Sequence, residues 1–226
     1  MQGPAGYQEE LETIYSNRFT ASEQYRTKVW QTLIEHWFQK LIPAEAAVMD
    51  LGCGFGQFIN NVKCRKKYAM DLNPATSQKL DPQVTFLMQD CSATWNLPEN
   101  SLDVVFTSNF FEHLFTKTDL KNTIAQASRC LKPGGRIIAM GPNIKYVPGA
   151  YWDFFDHYLP LTELSLKEAF DTGGLRTTMV IDKFLPYTMV NSPEYPVAFM
   201  RLYLAIPLAW KFMGKQFLVI AEKTGK

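Results

Sequence analysis

Three glycines at Gly52, Gly54 and Gly56 alternate behind an acid at Asp50, at the end of the apolar run that opens Val48-Met-Asp-Leu. Glycine at a strand exit permits tight left-handed turns and lets a ligand approach main-chain N–H groups that a Cβ would shield. The spacing also restricts the ligand. A dinucleotide fingerprint needs G-x-G-x-x-G, but the sixth position counted from Gly52 is Gln57, and the glycine arrives one residue early at Gly56. An acid follows at Asp71, nineteen residues after Gly52 at the end of Tyr68-Ala-Met-Asp71, where a carboxylate can accept from both hydroxyls of a ribose. The plainer reading of Asp71 is a cap ahead of Asn73-Pro74.

A second group of reactive side chains lies in Tyr151-Trp-Asp-Phe-Phe-Asp-His-Tyr158, between Pro148-Gly149 and Pro160. On a short helix, Asp153, Asp156 and His157 fall at i, i+3 and i+4 on one face, where a carboxylate would orient and polarise the imidazole for acid/base work. The competing reading is an aromatic flap in which these groups only tie the loop to its neighbours. No metal is expected on them.

The elements that must position these groups follow from patterning. Apolar, β-branched runs alternate with helical patterns, as in βαβ units and a mostly parallel sheet. Strands are expected at 47–51, 68–71, 84–88, 104–108, 136–140, 177–184 and 216–221. Ahead of them, residues 22–41 place Tyr25, Val29, Trp30, Leu33, Ile34, Trp37, Phe38 and Leu41 on one apolar helix face, and Pro43 stops it. Ser165 and Glu168 fit a capping box, with Gly173-Gly174 as the stop. Segments 144–160 and 185–214 exceed what a bare sheet needs and read as cap insertions, so specificity is expected there. The division expected is 1–42 for an N-terminal lid and helix, then 43–226 for the main domain.

At 226 residues, one α/β domain with a small cap is the natural size. The net charge of +1 supplies no general field for nucleic acid, so none is expected as a partner. Cys53, Cys64, Cys91 and Cys130 lack the spacing of a disulfide framework or zinc site, and no secretory leader is visible at the N-terminus, so a reduced cytoplasmic setting is expected. The apolar stretch 202–210 is nine residues with Pro207 inside it, short of the roughly 20 needed to span a bilayer. Core or cap is its favoured role, with peripheral lipid contact as the lesser one; a monomer or homodimer fits the chain.

The D-x-G-x-G-x-G form at Asp50 to Gly56 resembles the first motif of class I S-adenosylmethionine-dependent methyltransferases, in the small-molecule branch (type 11 or type 23-like). Further resemblances follow in order: Tyr68-Ala-Met-Asp71, Phe86-Leu-Met-Gln-Asp90, Ser101-Leu-Asp-Val-Val-Phe-Thr-Ser-Asn-Phe-Phe-Glu-His-Leu114, and Leu131-Lys-Pro-Gly-Gly-Arg-Ile-Ile138. Together they cover about residues 46–141, with weaker echoes in 161–175. The resemblance implies a Rossmann-like seven-stranded α/β sheet, mostly parallel, with helices on both faces, an antiparallel last strand and a small helical, aromatic cap.

It also implies roles for individual residues. Asp50, Gly52, Cys53, Gly54 and Gly56 would form the S-adenosylmethionine loop, and Asp71 with Leu72 would meet the ribose. Asp90 would meet the adenine amino group beside Cys91 and Ser92, with Asp90 as a simple turn former the alternative. Ser108, Asn109 and Phe110 would line the methionine end. His113 would lie near the transfer centre as acid, base or substrate contact, against a purely structural role. A lid would come from Tyr15-Ser-Asn-Arg-Phe19, where Arg18 pairs with a carboxylate of cofactor or substrate, or remains solvated. Tyr15, Tyr151, Trp152 and Phe155 are the expected acceptor contacts, and His157, His113, Asp153 and Asp156 the expected catalytic groups. The expected reaction is methyl transfer to oxygen or nitrogen of a small molecule by in-line displacement, with or without histidine-assisted deprotonation. A macromolecular acceptor (RNA or protein) and a non-catalytic cofactor-binding scaffold are the alternatives.

Overall fold

The computed structural model describes Thr13 and residues 23–187 and 194–225. Seven strands form one sheet: β1 (Ala47–Leu51), β2 (Lys66–Met70), β3 (Val84–Leu87), β4 (Leu102–Ser108), β5 (Leu131–Pro142), β6 (Leu175–Ile181) and β7 (Gln216–Lys223), in the order β3-β2-β1-β4-β5-β7-β6. β1 is buried along its whole length because it is sandwiched between parallel neighbours and covered on both faces, which is why its sequence is apolar at every position but Asp50 rather than alternating. β7 runs antiparallel between β5 and β6.

Alternate strand residues feed two cores. On one face, Met49, Leu51 and Val105 pack with Leu120 and Ile124 of α3 (Lys117–Cys130) and Phe170 of α4 (Glu163–Thr172). On the other, Val48, Val104 and Phe106 pack with Trp30 of α1 (Glu23–His36), Phe58 of α2 (Gln57–Asn61), Tyr203 of α5 (Val197–Ala205) and Trp210 of α6 (Pro207–Met213). The chain therefore has helices on both faces. No helix among the described residues is long and apolar enough to cross a membrane.

Two helix boundaries differ from expectation. The first helix closes at His36 instead of running to residue 41, and a 3₁₀ turn at Phe38–Leu41 follows. Breaking the helix at Trp37 (φ −131°) lets two adjacent aromatics enter the core together: Trp37 packs on Phe184 and Trp210 at 5.2 and 5.1 Å, while Phe38 meets Phe106 at 5.1 Å. α4 begins one turn early. Thr162 is its N-cap and exchanges bonds with Ser165 in a capping box, so Ser165 sits at the third helical position rather than at the cap.

The site follows from topology. The chain leaves β3 at the sheet edge and returns to the other side of β1 as β4, so the order reverses between β1 and β4. In open α/β sheets such a switch point opens a crevice beyond the carboxyl ends of the strands. Asp50 pairs in register with Phe106 and Leu51 with Thr107, which brings Gly52 level with the mouth of β4.

Candidate active site

All three loop glycines adopt left-handed backbone, with φ of 67° at Gly52, 54° at Gly54 and 74° at Gly56. Gly52 has no room for a side chain, since a Cβ there would lie 2.2 Å from the Phe110 ring. Gly56 caps α2. Asp71 braces the loop from β2: its Oδ2 accepts from Gly54 N–H and its Oδ1 from Asn73 N–H, both at 2.9 Å. The acid expected to meet a ribose fixes the cradle.

Asp50 lies beneath, 3% exposed, with its Oδ2 buried and without a hydrogen-bond partner. Burial pushes its carboxyl up to about 8, with the Asp71 charge adding to the rise and an Ile59 backbone hydrogen bond opposing it. Burial likewise raises the Cys53 thiol well above its usual value, which leaves it a small apolar wall residue rather than a nucleophile.

A cavity of about 860 Å³ opens at this switch point. Asp50, Gly52, Cys53 and Gly54 of the loop line it together with Ser108, Asn109, Glu112 and His113 and apolar residues of α1 and α5–α6. Asn109 holds φ at 50°, unusual for a residue with a side chain, and its N–H donates to Met140 O at 2.9 Å, so the β4 exit is aimed at the cavity by a strained backbone.

Beyond β4, a 3₁₀ turn over Phe111–His113 presents His113 to the loop that follows β5. Its Nδ1 lies 2.8 Å from the Asp156 carbonyl oxygen and 3.2 Å from Asp156 Oδ2. Both partners only accept, so Nδ1 carries the proton and Nε2 is left with the lone pair. Burial opposes charging His113, but the Asp156 and Glu112 carboxylates outweigh it and hold its pKa above the ordinary imidazole value. Burial raises Glu112 to about 7, moderated by His113. The Glu112 carbonyl accepts from Tyr158 and Leu159 N–H at 2.8 and 3.0 Å, which ties the loop to the end of β4.

Asp156 therefore faces His113. Only Ala150–Asp153 is helical, as a 3₁₀ turn, so the helix that would align Asp153, Asp156 and His157 does not form. Asp153 is exposed; His157 is buried, stacked on Phe154 at 4.9 Å and edge-on to His113 at 5.0 Å, and reaches the cavity wall. Glu112, His113 and His157 bring their donor atoms within 4.8 Å of one another, a set that spacing within the loop alone does not reveal.

Other expected contacts stand further off. Tyr151 is fully buried, while Trp152 and Phe155 are 56% and 82% exposed, and none of the three lines the cavity. Asp90 is exposed and its Oδ1 accepts from Ser92 N–H and Oγ–H at 2.7 and 2.8 Å, the turn-forming geometry. Cys91 is buried, its Sγ accepting from Thr123 Oγ1 at 3.3 Å. Asp71, Leu72, Asp90, Cys91, Ser92 and Phe110 lie outside the cavity wall. Tyr15 and Arg18 fall outside the described residues. Glu112 and Arg26 also line the cavity, with α5 inside the 185–214 insertion where specificity is expected; the adjacent Glu112-His113 pair at a strand exit is the sequence signal for the first.

A sheet of this order, with a left-handed glycine loop at the β1/β4 switch, defines a Rossmann-like cofactor-binding fold of the methyltransferase type. Residues 49–139 match the family model described as a methyltransferase domain. Solved structures share the fold. A complex of the Haloferax volcanii Trm112 methyltransferase activator and a methyltransferase matches with TM-score 0.71 and 17% identity over 97% of this chain and 98% of that one. An S-adenosylmethionine-dependent methyltransferase from Archaeoglobus fulgidus matches with TM-score 0.66 and 18% identity, covering 89% and 97%. One from Mesorhizobium loti matches with TM-score 0.59 and 17% identity, covering 82% and 95%. No curated protein sequence matches the chain.

Proposed function

We propose that the chain is a class I S-adenosylmethionine-dependent methyltransferase that transfers the methyl group to an oxygen or nitrogen of an apolar small molecule held beyond the glycine loop, with His113 as the proton acceptor. The observation that carries this reading is a single cavity whose wall includes the loop, His113 and apolar residues of α1, α5 and α6. About 860 Å³ lies near the top of the range of small-molecule sites, roughly 300–1,000 Å³, which suits two ligands side by side.

The loop suits S-adenosylmethionine on three counts: glycines whose conformation and space exclude a Cβ, the buried and unpartnered Asp50 Oδ2, and the Asp71 brace. Gly52 and Gly54 would hold it by backbone approach, with Ser108 and Asn109 at the methionine end. When bound, it supplies a methyl group on a sulfonium, already a good leaving group. The protein's main work is then alignment, which can supply roughly 7–11 kcal/mol, against roughly 3–5 kcal/mol for a general base. Nε2 of His113 takes the proton from the acceptor's O–H or N–H. Asp156 fixes the tautomer and stabilises the imidazolium that forms. Phe154 and the α1 and α5 walls exclude water. His157, edge-on to His113, helps shape the acceptor pocket.

A second reading, a macromolecular acceptor with an activator subunit, draws on the likeness to the methyltransferase seen with Trm112. A panel assay with labelled S-adenosylmethionine separates them: organic extracts labelled by the chain alone support a small acceptor, and label appearing only in RNA or protein favours the second reading.

A further inference from the structure

The helical hairpin α5–α6 presents apolar surface that the core does not explain and the cavity explains only in part. One side is anchored inward: Tyr203 donates its hydroxyl to Phe184 O at 2.7 Å, and the Trp210 indole N–H donates to Tyr203 O at 2.8 Å. The other side carries Phe199 and Leu202, three apart on α5, and Leu208 and Phe212, four apart on α6. They are 61%, 58%, 61% and 81% exposed. Single exposed apolar residues are ordinary, but four large ones on one two-helix element form a patch of the kind that meets a partner or membrane. Leu208 and Phe212 stand outside the cavity wall, so acceptor binding does not account for them.

Charge indicates what covers the patch. Residues 195–215 contain Arg201, Lys211 and Lys215 and no carboxylate. All three cations are exposed, and none is in an ion pair among the described residues. Bulky apolar side chains flanked by lysine and arginine without acids match an anionic lipid surface, where the first enter the acyl boundary and the second meet headgroup phosphates. The helices have nine and seven residues and break at Pro207, so the hairpin lies in the interface and does not span it. Phe199, Leu202, Ile206 and Met213 are exposed and also line the cavity, so the cavity mouth opens on this same surface.

We infer that α5–α6 seats the protein on an anionic lipid surface and that the acceptor is a lipid-dissolved molecule entering the cavity from it. The second half rests on the reading of the cavity given under Proposed function; the first does not.

The test is sedimentation of the full chain with vesicles of phosphatidylcholine alone and of phosphatidylcholine mixed with phosphatidylglycerol, at low and high salt. Calorimetry with S-adenosylhomocysteine runs alongside. The chain should sediment with the mixed vesicles, less with the neutral ones, and less at high salt. The double variant Leu208→Glu/Phe212→Glu should partition at least about tenfold more weakly while keeping its affinity for S-adenosylhomocysteine. If that variant misfolds, Arg201→Glu/Lys211→Glu leaves the apolar face intact and should lose the preference for anionic vesicles; a preference that survives overturns the inference. Failure of the wild type to sediment with either vesicle also overturns it and leaves the functional reading intact. So does concentration-dependent dimerisation abolished by Leu208→Glu/Phe212→Glu without vesicle binding, which would make the patch an interface between copies. Vesicle binding without S-adenosylhomocysteine binding would sustain the seating and fail the reading of the cavity instead.

Discussion

His113 takes its orientation from Asp156, forty-three residues downstream, through both the carbonyl oxygen at 2.8 Å and the carboxylate at 3.2 Å. Two acceptors on one ring nitrogen fix the tautomer, and Nε2 is left as the only basic atom of the ring. The loop after β5 and the exit of β4, far apart in sequence, therefore act as one unit.

From this pairing, His113→Ala should lower turnover by about 10²–10⁴-fold, the usual contribution of a positioned base, with S-adenosylhomocysteine affinity unchanged. Steady-state rates and calorimetry on the same preparations check it. Equal loss of both would make His113 a structural residue.

The pH dependence follows in sign. As a base His113 must be neutral, so methyl transfer should fall as pH drops through its pKa, which lies above 6.5 because Asp156 and Glu112 outweigh burial. Asp156→Asn removes one of those two carboxylates and should move this acid limb to lower pH while lowering the plateau. A limb that stays in place would show that another group limits the rate.

Asp50 gives a prediction on stability. Its folded pKa of about 8 exceeds the ordinary carboxylate value of 3.8, so the folded chain binds more protons than the unfolded chain between these values. The stability Asp50 contributes is thus complete below about pH 4 and is lost as pH rises towards 8. Asp50→Asn should flatten that decline and raise the melting temperature of the ligand-free protein near pH 8. Melting curves at several pH values would show it, and parallel slopes for the two proteins would refute it.

Asp71→Asn tests the brace. An amide offers one acceptor oxygen where the carboxylate uses two, so either Gly54 or Asn73 N–H loses its partner. A cost of about 1–3 kcal/mol is expected in chemical denaturation. An unchanged midpoint would mean that the loop holds its shape without Asp71.

What could be read from the chain and what could not divide along a physical line. β1 and its glycines were legible because a buried parallel strand is a continuous apolar run and positive φ selects glycine, both local properties. Local spacing grouped Asp153, Asp156 and His157 because helical arithmetic sees only neighbours three and four apart. The contact between Asp156 and His113 lies across β5, and no periodicity records it. The end of α1 was missed because Trp37 and Phe38 continue the apolar stripe in sequence, while packing on Phe184 and Phe106 requires the backbone to turn between them. The early start of α4 reflects two overlapping cap patterns, of which Thr162 with Ser165 prevails.

The claim that the Gly52 loop cradles S-adenosylmethionine is tested most directly by calorimetric titration of wild type and Gly52→Ala with that ligand. A Cβ at φ 67°, 2.2 Å from the Phe110 ring, must distort the loop. We predict one binding site in the wild type and a loss of at least about tenfold in affinity in Gly52→Ala, corresponding to the roughly 1–2 kcal/mol of left-handed strain plus the steric clash. Undiminished affinity in Gly52→Ala, or no binding by the wild type, would contradict it.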